Sequence, residues 1–231
     1  MMLTPLKKLA GATALGLALL GAPALASDAP TAAKLLFANP YLTKVAPDQT
    51  LVYTFERNTI DESKYGASMK DTIRLEVKED ETDKDKRSVY LKIYSGQRER
   101  NLGPFIHTTG NPAVMVLLEQ DTFELKRRLG GQPAYFRNKI RKAMREEAKV
   151  EEMSFDFNGG KIDGHKITIQ PFKDDPNMSR VPEFASTIYE FVVSDAVPGG
   201  IYRVSSIIPA ANDPGTPLKQ QDMTFAQKEQ K

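Results

Sequence analysis

Apolar and polar residues alternate with period two over the first and last thirds of this chain, and between them the period lengthens to about four. Leu51-Val52-Tyr53-Thr54-Phe55-Glu56 reads as a strand. Over residues 69–79, Ile73, Leu75 and Val77 share one face and Thr72, Arg74, Glu76 and Lys78 the other, the pattern of a strand with one wet side. Val89, Leu91 and Ile93 define a returning strand, and Pro104-Phe105-Ile106-His107 can add a short one. The charged run 78–87 between them reads as a solvated hairpin tip. After residue 150 the short period resumes at Met153, Phe155 and Phe157, at Ile167 and Ile169, over residues 186–193 and over residues 200–208. Asn158-Gly159-Gly160, Asp163-Gly164 and Val197-Pro198-Gly199-Gly200 are the turn signals between these runs. Residues 209–231 offer Pro, Gly, Gln and Lys and little to bury, so they are expected to be a disordered tail.

The middle of the chain, residues 110–147, organises this pattern. Asn111 can cap a helix with Pro112 at its first position, where the missing N–H costs nothing. Val114, Leu117, Leu118, Leu125 and Leu129, with Phe123, form an apolar helical stripe that Gly130-Gly131 stops. Pro133 opens a second helix in which Phe136, Ile140 and Met144 recur every four residues. Two antiparallel helices joined by a short glycine loop are the simplest solution. Strands, helical hairpin, strands: the order predicts an α+β fold, a curved antiparallel β-sheet forming a half-barrel of about seven strands, covered by the hairpin.

Composition changes the reading at the N-terminus first. Lys7 and Lys8 precede an apolar segment, residues 9–20, and Ala24-Leu25-Ala26 ends it with a small-x-small site. Residues 1–26 therefore read as a secretory signal peptide cleaved after Ala26, with an apolar segment too short to span a bilayer. The chain has no Cys, so neither a lipobox anchor nor disulfides are expected, which suits a bacterial periplasm. The formal charge of +2 comes from Lys7 and Lys8. Without them the chain is neutral, and a general nucleic-acid-binding character disappears. The remaining division is a single α+β domain over 27–208 and the tail at 209–231.

Candidate chemistry is sparse. Only His107 and His165 are present, with no Cys and no G-x-S-x-G elbow, so neither nucleophilic catalysis nor a zinc site has the residues it needs. Asp80, Asp83 and Asp85 lack the glycine and the twelfth-position Glu of a calcium loop. Gly130-Gly131 is followed by Gln and Pro rather than by a phosphate-loop Lys. Glu119, Asp121 and Glu124 can lie at the rim of the first helix's stripe, but spacing alone does not put two carboxylates across a cleft. No catalytic residue, no metal and no cofactor is assigned.

Charge gives the strongest positive signal. Residues 126–149 hold nine Lys or Arg and two acids, and Arg137, Arg141 and Arg145 fall on one ridge of the second helix. That ridge is either the wet face of an amphipathic helix, paired with acids of the sheet, or a surface for phospholipid headgroups, lipopolysaccharide or an acidic protein. The inward face carries Phe55, Leu75, Leu91, Phe155, Phe157, Ile169 and Phe191, either as an ordinary core or as the wall of a lipid-sized cavity beneath the hairpin.

The stretch Gly110-Asn111-Pro112, Leu118-Glu119-Gln120-Asp121, Gly130-Gly131 and Tyr135-Phe136-Arg137-Asn138-Lys139-Ile140-Arg141 resembles the signature of an uncharacterised family of proteobacterial periplasmic proteins. That resemblance implies location, not activity. In its element order the chain is also similar to the envelope proteins related to the LolA/LolB lipoprotein carriers, which implies a half-barrel lidded by helices. The expectation is a periplasmic, non-enzymatic binding or carrier module for a lipophilic or anionic envelope component. Val114, Leu118, Phe123, Phe136 and Ile140 would line the lid, and Arg137, Arg141 and Arg145 would meet the headgroup or partner. The alternatives are an assembly protein with a solid core that docks through the basic helix, and a hydrolase whose site the sequence does not disclose. No nucleic-acid partner and no transmembrane segment are expected.

Overall fold

The computed structural model describes residues 30–213 and 215–230. The expected signal peptide, residues 1–26, lies outside them. Nine strands form one antiparallel sheet: β1 (Gln49–Thr59), β2 (Met69–Glu79), β3 (Arg87–Ile93), β4 (Arg100–Thr108), β5 (Lys149–Phe157), β6 (Gly160–Ile169), β7 (Ile188–Val193), β8 (Ile201–Ile208) and β9 (Lys219–Gln230). Across the sheet their order is β4-β3-β2-β1-β9-β8-β7-β6-β5, so the sheet is open, with β4 and β5 as its edges. The α-helices among the described residues are α1 (Glu62–Tyr65), α2 (Met115–Leu129), α3 (Pro133–Glu146) and α4 (Pro182–Ala185). Among the described residues no helix is long and apolar enough to cross a membrane.

The strand alternation read from the sequence sets the register. Leu75 faces Leu91 and Val77 faces Val89 across β2 and β3, and all four side chains are at most 2 % exposed. In the other half, Ile167, Phe191 and Val204 form a row across β6, β7 and β8. Directly opposed residues lie on the same face, so these rows make one continuous apolar surface. The hairpin α2–α3 packs onto it through Leu117, Leu118 and Leu125 of α2 and Phe136, Ile140 and Met144 of α3, all buried. Asn111 caps the entry to α2, as its position suggests, accepting from the Ala113 N–H. Its amide also donates to the Tyr53 hydroxyl and to the Gly199 carbonyl, each at 2.8 Å, which pins the start of the hairpin to β1 and to the β7–β8 turn.

The sheet has nine strands rather than about seven. One difference is β4, which extends the short strand expected at 104–107 to Arg100–Thr108; its residues are exposed apart from a half-buried Thr108, so period two has no buried face to display. The other overturns the expected disordered tail. Residues 219–230 form β9, hydrogen-bonded to β1 on one side and β8 on the other, the fifth of nine positions. Its inward residues Lys219, Gln221, Met223 and Phe225 are all buried, but the first two are polar, and polar inward positions hide a strand from a hydrophobicity reading.

Two smaller expectations are also corrected. Asp163-Gly164 is not a turn: β6 runs through it, and Gly164 is required because a Cβ there would lie 2.4 Å from the Val193 carbonyl. The charged run 78–87 is not wholly solvated. Arg87 is 8 % exposed and donates to the carbonyls of Thr43, Val45, Lys84 and Lys86. Asp80 is 3 % exposed and accepts from the backbone N–H groups of His107, Thr82 and Asp83. These contacts tie the β2–β3 connection to the end of β4.

The two ends of the sheet differ. Phe155 of β5 stacks on Tyr202 of β8 with centroids 4.5 Å apart, and Phe157 lies 5.9 Å from Phe225 of β9. In a flat sheet, β5 and β9 would be about 19 Å apart, four strand spacings. The β5 end is therefore bent over toward the centre, and aromatic rings fill the bend. At the β4 end the described residues leave the equivalent space open.

Candidate functional site

That unfilled space is a cleft of about 1050 Å³ between α2 and the β1–β4 half of the sheet. Leu91 and Ile93 of β3 form its floor, and Met115 and Val116 of α2 form one wall. Leu102 and Phe105 of β4 form the other. They are an odd number of residues apart but both line the cleft, because the pairing shifts between Val89↔Phe105 and Leu91↔Leu102. A bulge of this kind re-aims a strand's side chains. Phe123 projects from α2 at the rim. Leu102, Phe105 and Phe123 are 47 %, 37 % and 54 % exposed, so the cleft presents a contiguous apolar surface to solvent.

Behind the cleft α2 meets the sheet through charges rather than through apolar contact alone. Lys219 of β9 is 2 % exposed, with its ammonium 2.6 Å from Glu124 Oε2 and 3.4 Å from Asp121 Oδ1. Arg128 holds the other Glu124 oxygen at 2.8 Å. Asp121 also accepts from Ser206 Oγ and from Gln221 Nε2. Burial opposes ionisation of Glu124, yet Lys219 and Arg128 together keep its carboxyl below the usual range. Burial, with the Asp121 charge next in effect, pushes the Tyr189 hydroxyl well above its ordinary value, so it stays protonated beside the cluster. Asp121, Glu124, Lys219 and Arg128 sum to zero charge, which makes the network a neutral clamp between helix and sheet.

The residues singled out in the sequence scatter over four places: the cleft, a smaller pocket, the core and the exposed surface. Of the expected ligand-binding residues only Phe123 lines the large cleft, beside Leu91 of the inward face and the carboxylates Glu119, Asp121 and Glu124. Leu118, Ile140, Arg137 and Arg141 line a smaller pocket of about 280 Å³ between α2 and α3, together with Phe37. Val114 and Phe136 are 1 % and 3 % exposed and sit in the core, Phe136 edge-on to Phe172. Of the basic ridge, Arg137 is engaged within the hairpin: it grips Glu119 with Nε at 2.8 Å and a terminal nitrogen at 2.6 Å, and its guanidinium lies 5.6 Å from the Phe123 ring. Arg141 and Arg145 are exposed, and among the described residues no carboxylate stands within ion-pair distance of either.

His107 has an acidic neighbour, with Nδ1 3.0 Å from Asp80 Oδ1. Burial opposes ionisation of Asp80, but the N–H groups of His107 and Thr82 hold its carboxyl well below the usual range. This pair closes the end of β4 and does not line the cleft. The residues that sequence reasoning passed over are Arg57, Leu102, Phe105 and Gln221 of the cleft and Lys219 behind it. The one available signal was Met223 and Phe225, two apolar residues at alternate positions of an otherwise mostly polar segment.

No protein-family model matches the chain, and no curated protein matches its sequence. Among solved structures, the crystal structure of the Mycobacterium tuberculosis lipoprotein LppX is similar at 10 % identity, covering 80 % of this chain and 87 % of that one, with a TM-score of 0.28. A likeness of that size does not bear on what this chain binds.

Proposed function

We propose that this protein is a non-enzymatic binding or carrier module of the bacterial periplasm, an open half-barrel that holds a lipophilic envelope component in the cleft between α2 and β4. The observation that carries the reading is the exposed apolar wall of Leu102, Phe105 and Phe123 above a floor of Leu91 and Ile93. The cleft volume of about 1050 Å³ is at the upper end for small-molecule sites, which run to roughly 1,000 Å³. Such a wall left open to water is costly unless something covers it. The cleft's carboxylates support the absence of catalysis: Glu119, Asp121 and Glu124 are each held by a cation, an arrangement suited to fixing α2 rather than to moving protons. Export to the periplasm rests on residues 1–26.

Native mass spectrometry of protein purified from its host tests this directly, with a bound lipid mass as the expected result. Leu102→Glu and Phe105→Glu place charges in the wall at positions already in contact with solvent. The double variant is expected to keep its melting temperature and lose the ligand. A ligand retained at full occupancy would remove the cleft from consideration. A second reading, docking of an acidic protein through α3, rests on Arg141 and Arg145, which are exposed and without a carboxylate partner among the described residues. Reversing both charges should then abolish co-purification of that partner while leaving lipid binding intact.

A further inference from the structure

The charges along the cleft are not balanced. Its three carboxylates, Glu119, Asp121 and Glu124, are neutralised by Arg137, Lys219 and Arg128. Its three guanidiniums, Arg57, Arg100 and Arg127, have no carboxylate within ion-pair distance among the described residues. Arg57 is the most enclosed of them. Its Nε donates to Gln221 Oε1 at 3.1 Å, Nη1 reaches the Ala67 carbonyl at 3.5 Å, and its guanidinium lies 5.8 Å from the Phe55 ring. Gln221 is itself fixed by donating to Asp121 at 3.0 Å, so the half-buried Arg57 fork is oriented but incompletely satisfied. Among the described residues the Arg100 guanidinium donates only to the neighbouring Glu99 carbonyl. Guanidinium in an apolar, partly desolvated site lacks a partner that water supplies elsewhere, and a planar fork fits a two-oxygen anion.

These cations lie at one end of the cleft. Arg57 pairs with Met69 at the start of β2, and Arg100 pairs with Ile93, which faces Ile73 four residues further on. Phe105 pairs with Val89, which faces Val77 near the far end of β2. α2 runs in the same sense. Its start is held at Tyr53 and Gly199 by Asn111, and its last turn, which carries Arg127, is held by Arg128 at the Lys64 carbonyl in α1. Arg127 therefore belongs to the Arg57 end, and Met115 and Pro112 to the Phe105 end.

Building on the reading of the cleft as a lipophile site, we infer that its ligand is an amphiphile with an anionic oxygen headgroup, carboxylate or phosphate, seated at Arg57, Arg100 and Arg127 with its chain running toward Phe105 and Met115. Dodecanoate, dodecyl phosphate and dodecanol share one chain and differ only in the headgroup. Titrated by calorimetry into the full chain, the two anions are expected to bind about tenfold or more tightly than the alcohol, the range of a charge-assisted hydrogen bond. Whichever anion binds tighter distinguishes a fatty-acid-like from a phospholipid-like headgroup. The variant Arg57→Gln/Arg100→Gln/Arg127→Gln should lose the preference and keep its affinity for dodecanol. Should Arg57→Gln perturb folding, the Arg100→Gln/Arg127→Gln pair alters only exposed side chains and should still reduce the preference severalfold. Equal binding of alcohol and anions by the wild type overturns the headgroup inference and leaves the cleft reading standing. A preference that survives the triple variant overturns the assignment to these three residues. Failure of all three probes to bind overturns the cleft reading itself.

Discussion

Lys219→Met is the most direct test of how α2 is held over the sheet. The substitution keeps a long side chain at a position that is 2 % exposed and removes the ammonium that lies 2.6 Å from Glu124 and 3.4 Å from Asp121. Two carboxylates then share the interface with Arg128 as the only remaining cation of the cluster. Breaking a buried ion pair by deleting one partner costs about 3–5 kcal/mol, because the other charge stays buried and uncompensated. For a domain of this size each kcal/mol moves the melting temperature by about 2–4 °C, so a drop of roughly 6–20 °C is expected at pH 7.

The pH dependence gives the sign of the effect. In the wild type the Glu124 carboxyl is held low, so its contribution is present above the unfolded carboxylate range and lost as pH falls through the folded value. Without Lys219, burial raises that carboxyl instead, and the folded variant takes up a proton more readily than the unfolded chain. Its deficit should therefore be greatest at neutral pH and narrow toward pH ~4–5, near the ordinary Glu value. Urea denaturation followed by circular dichroism at pH 7 and pH 5 measures both quantities, and adding Glu124→Gln should restore most of the loss. A cost below about 1 kcal/mol at pH 7, the size of an exposed pair, would refute the buried clamp.

Two further substitutions probe the frame of the site. Gly200→Ala puts a Cβ 2.1 Å from the Tyr41 ring at a residue with φ of +78°, so strain and overpacking together should cost about 3 kcal/mol or more; an unchanged urea midpoint would count against the packing of the N-terminal segment on the β7–β8 turn. Asp80→Asn removes a carboxylate held below its ordinary range by the N–H groups of His107 and Thr82, so the wild type should lose stability more steeply than the variant as pH falls below about 4, and parallel acid limbs would contradict that role.

The sequence carried the fold wherever the inward positions are apolar. Ile73, Leu75 and Val77 announced β2, and Phe136, Ile140 and Met144 announced α3, because burial and hydrophobicity coincide at those residues. It misled at β9, where Lys219 and Gln221 are buried because Asp121, Glu124 and Arg57 receive them from other elements. Those partners stand about 100 residues or more away, outside the reach of any local pattern. The cleft was hidden for the opposite reason. Its wall residues Leu102 and Phe105 are apolar but uncovered, and a composition reading cannot distinguish an apolar residue at an empty wall from one in a packed core. The basic cluster was visible, but charge counting could not show that Arg137 is committed to Glu119 while Arg57, well outside the cluster, has no acid within ion-pair distance among the described residues.

The position of β9 has a consequence for how the molecule becomes functional. Strands β1–β4 and β5–β8 each pair with their sequence neighbours and can form early from local hairpins, while the bond from Thr54 to the Thr224 carbonyl closes a separation of 170 residues. Until that closure the two half-sheets present the raw edges of β1 and β8, and Asp121 and Glu124 lack the lysine that lets them be buried. The same insertion that fuses the sheet also delivers Lys219 and Gln221 to the floor beneath α2 and orients Arg57. Completion of the cleft's polar backing and completion of the fold are thus one event, so a partly folded chain presents no finished cleft.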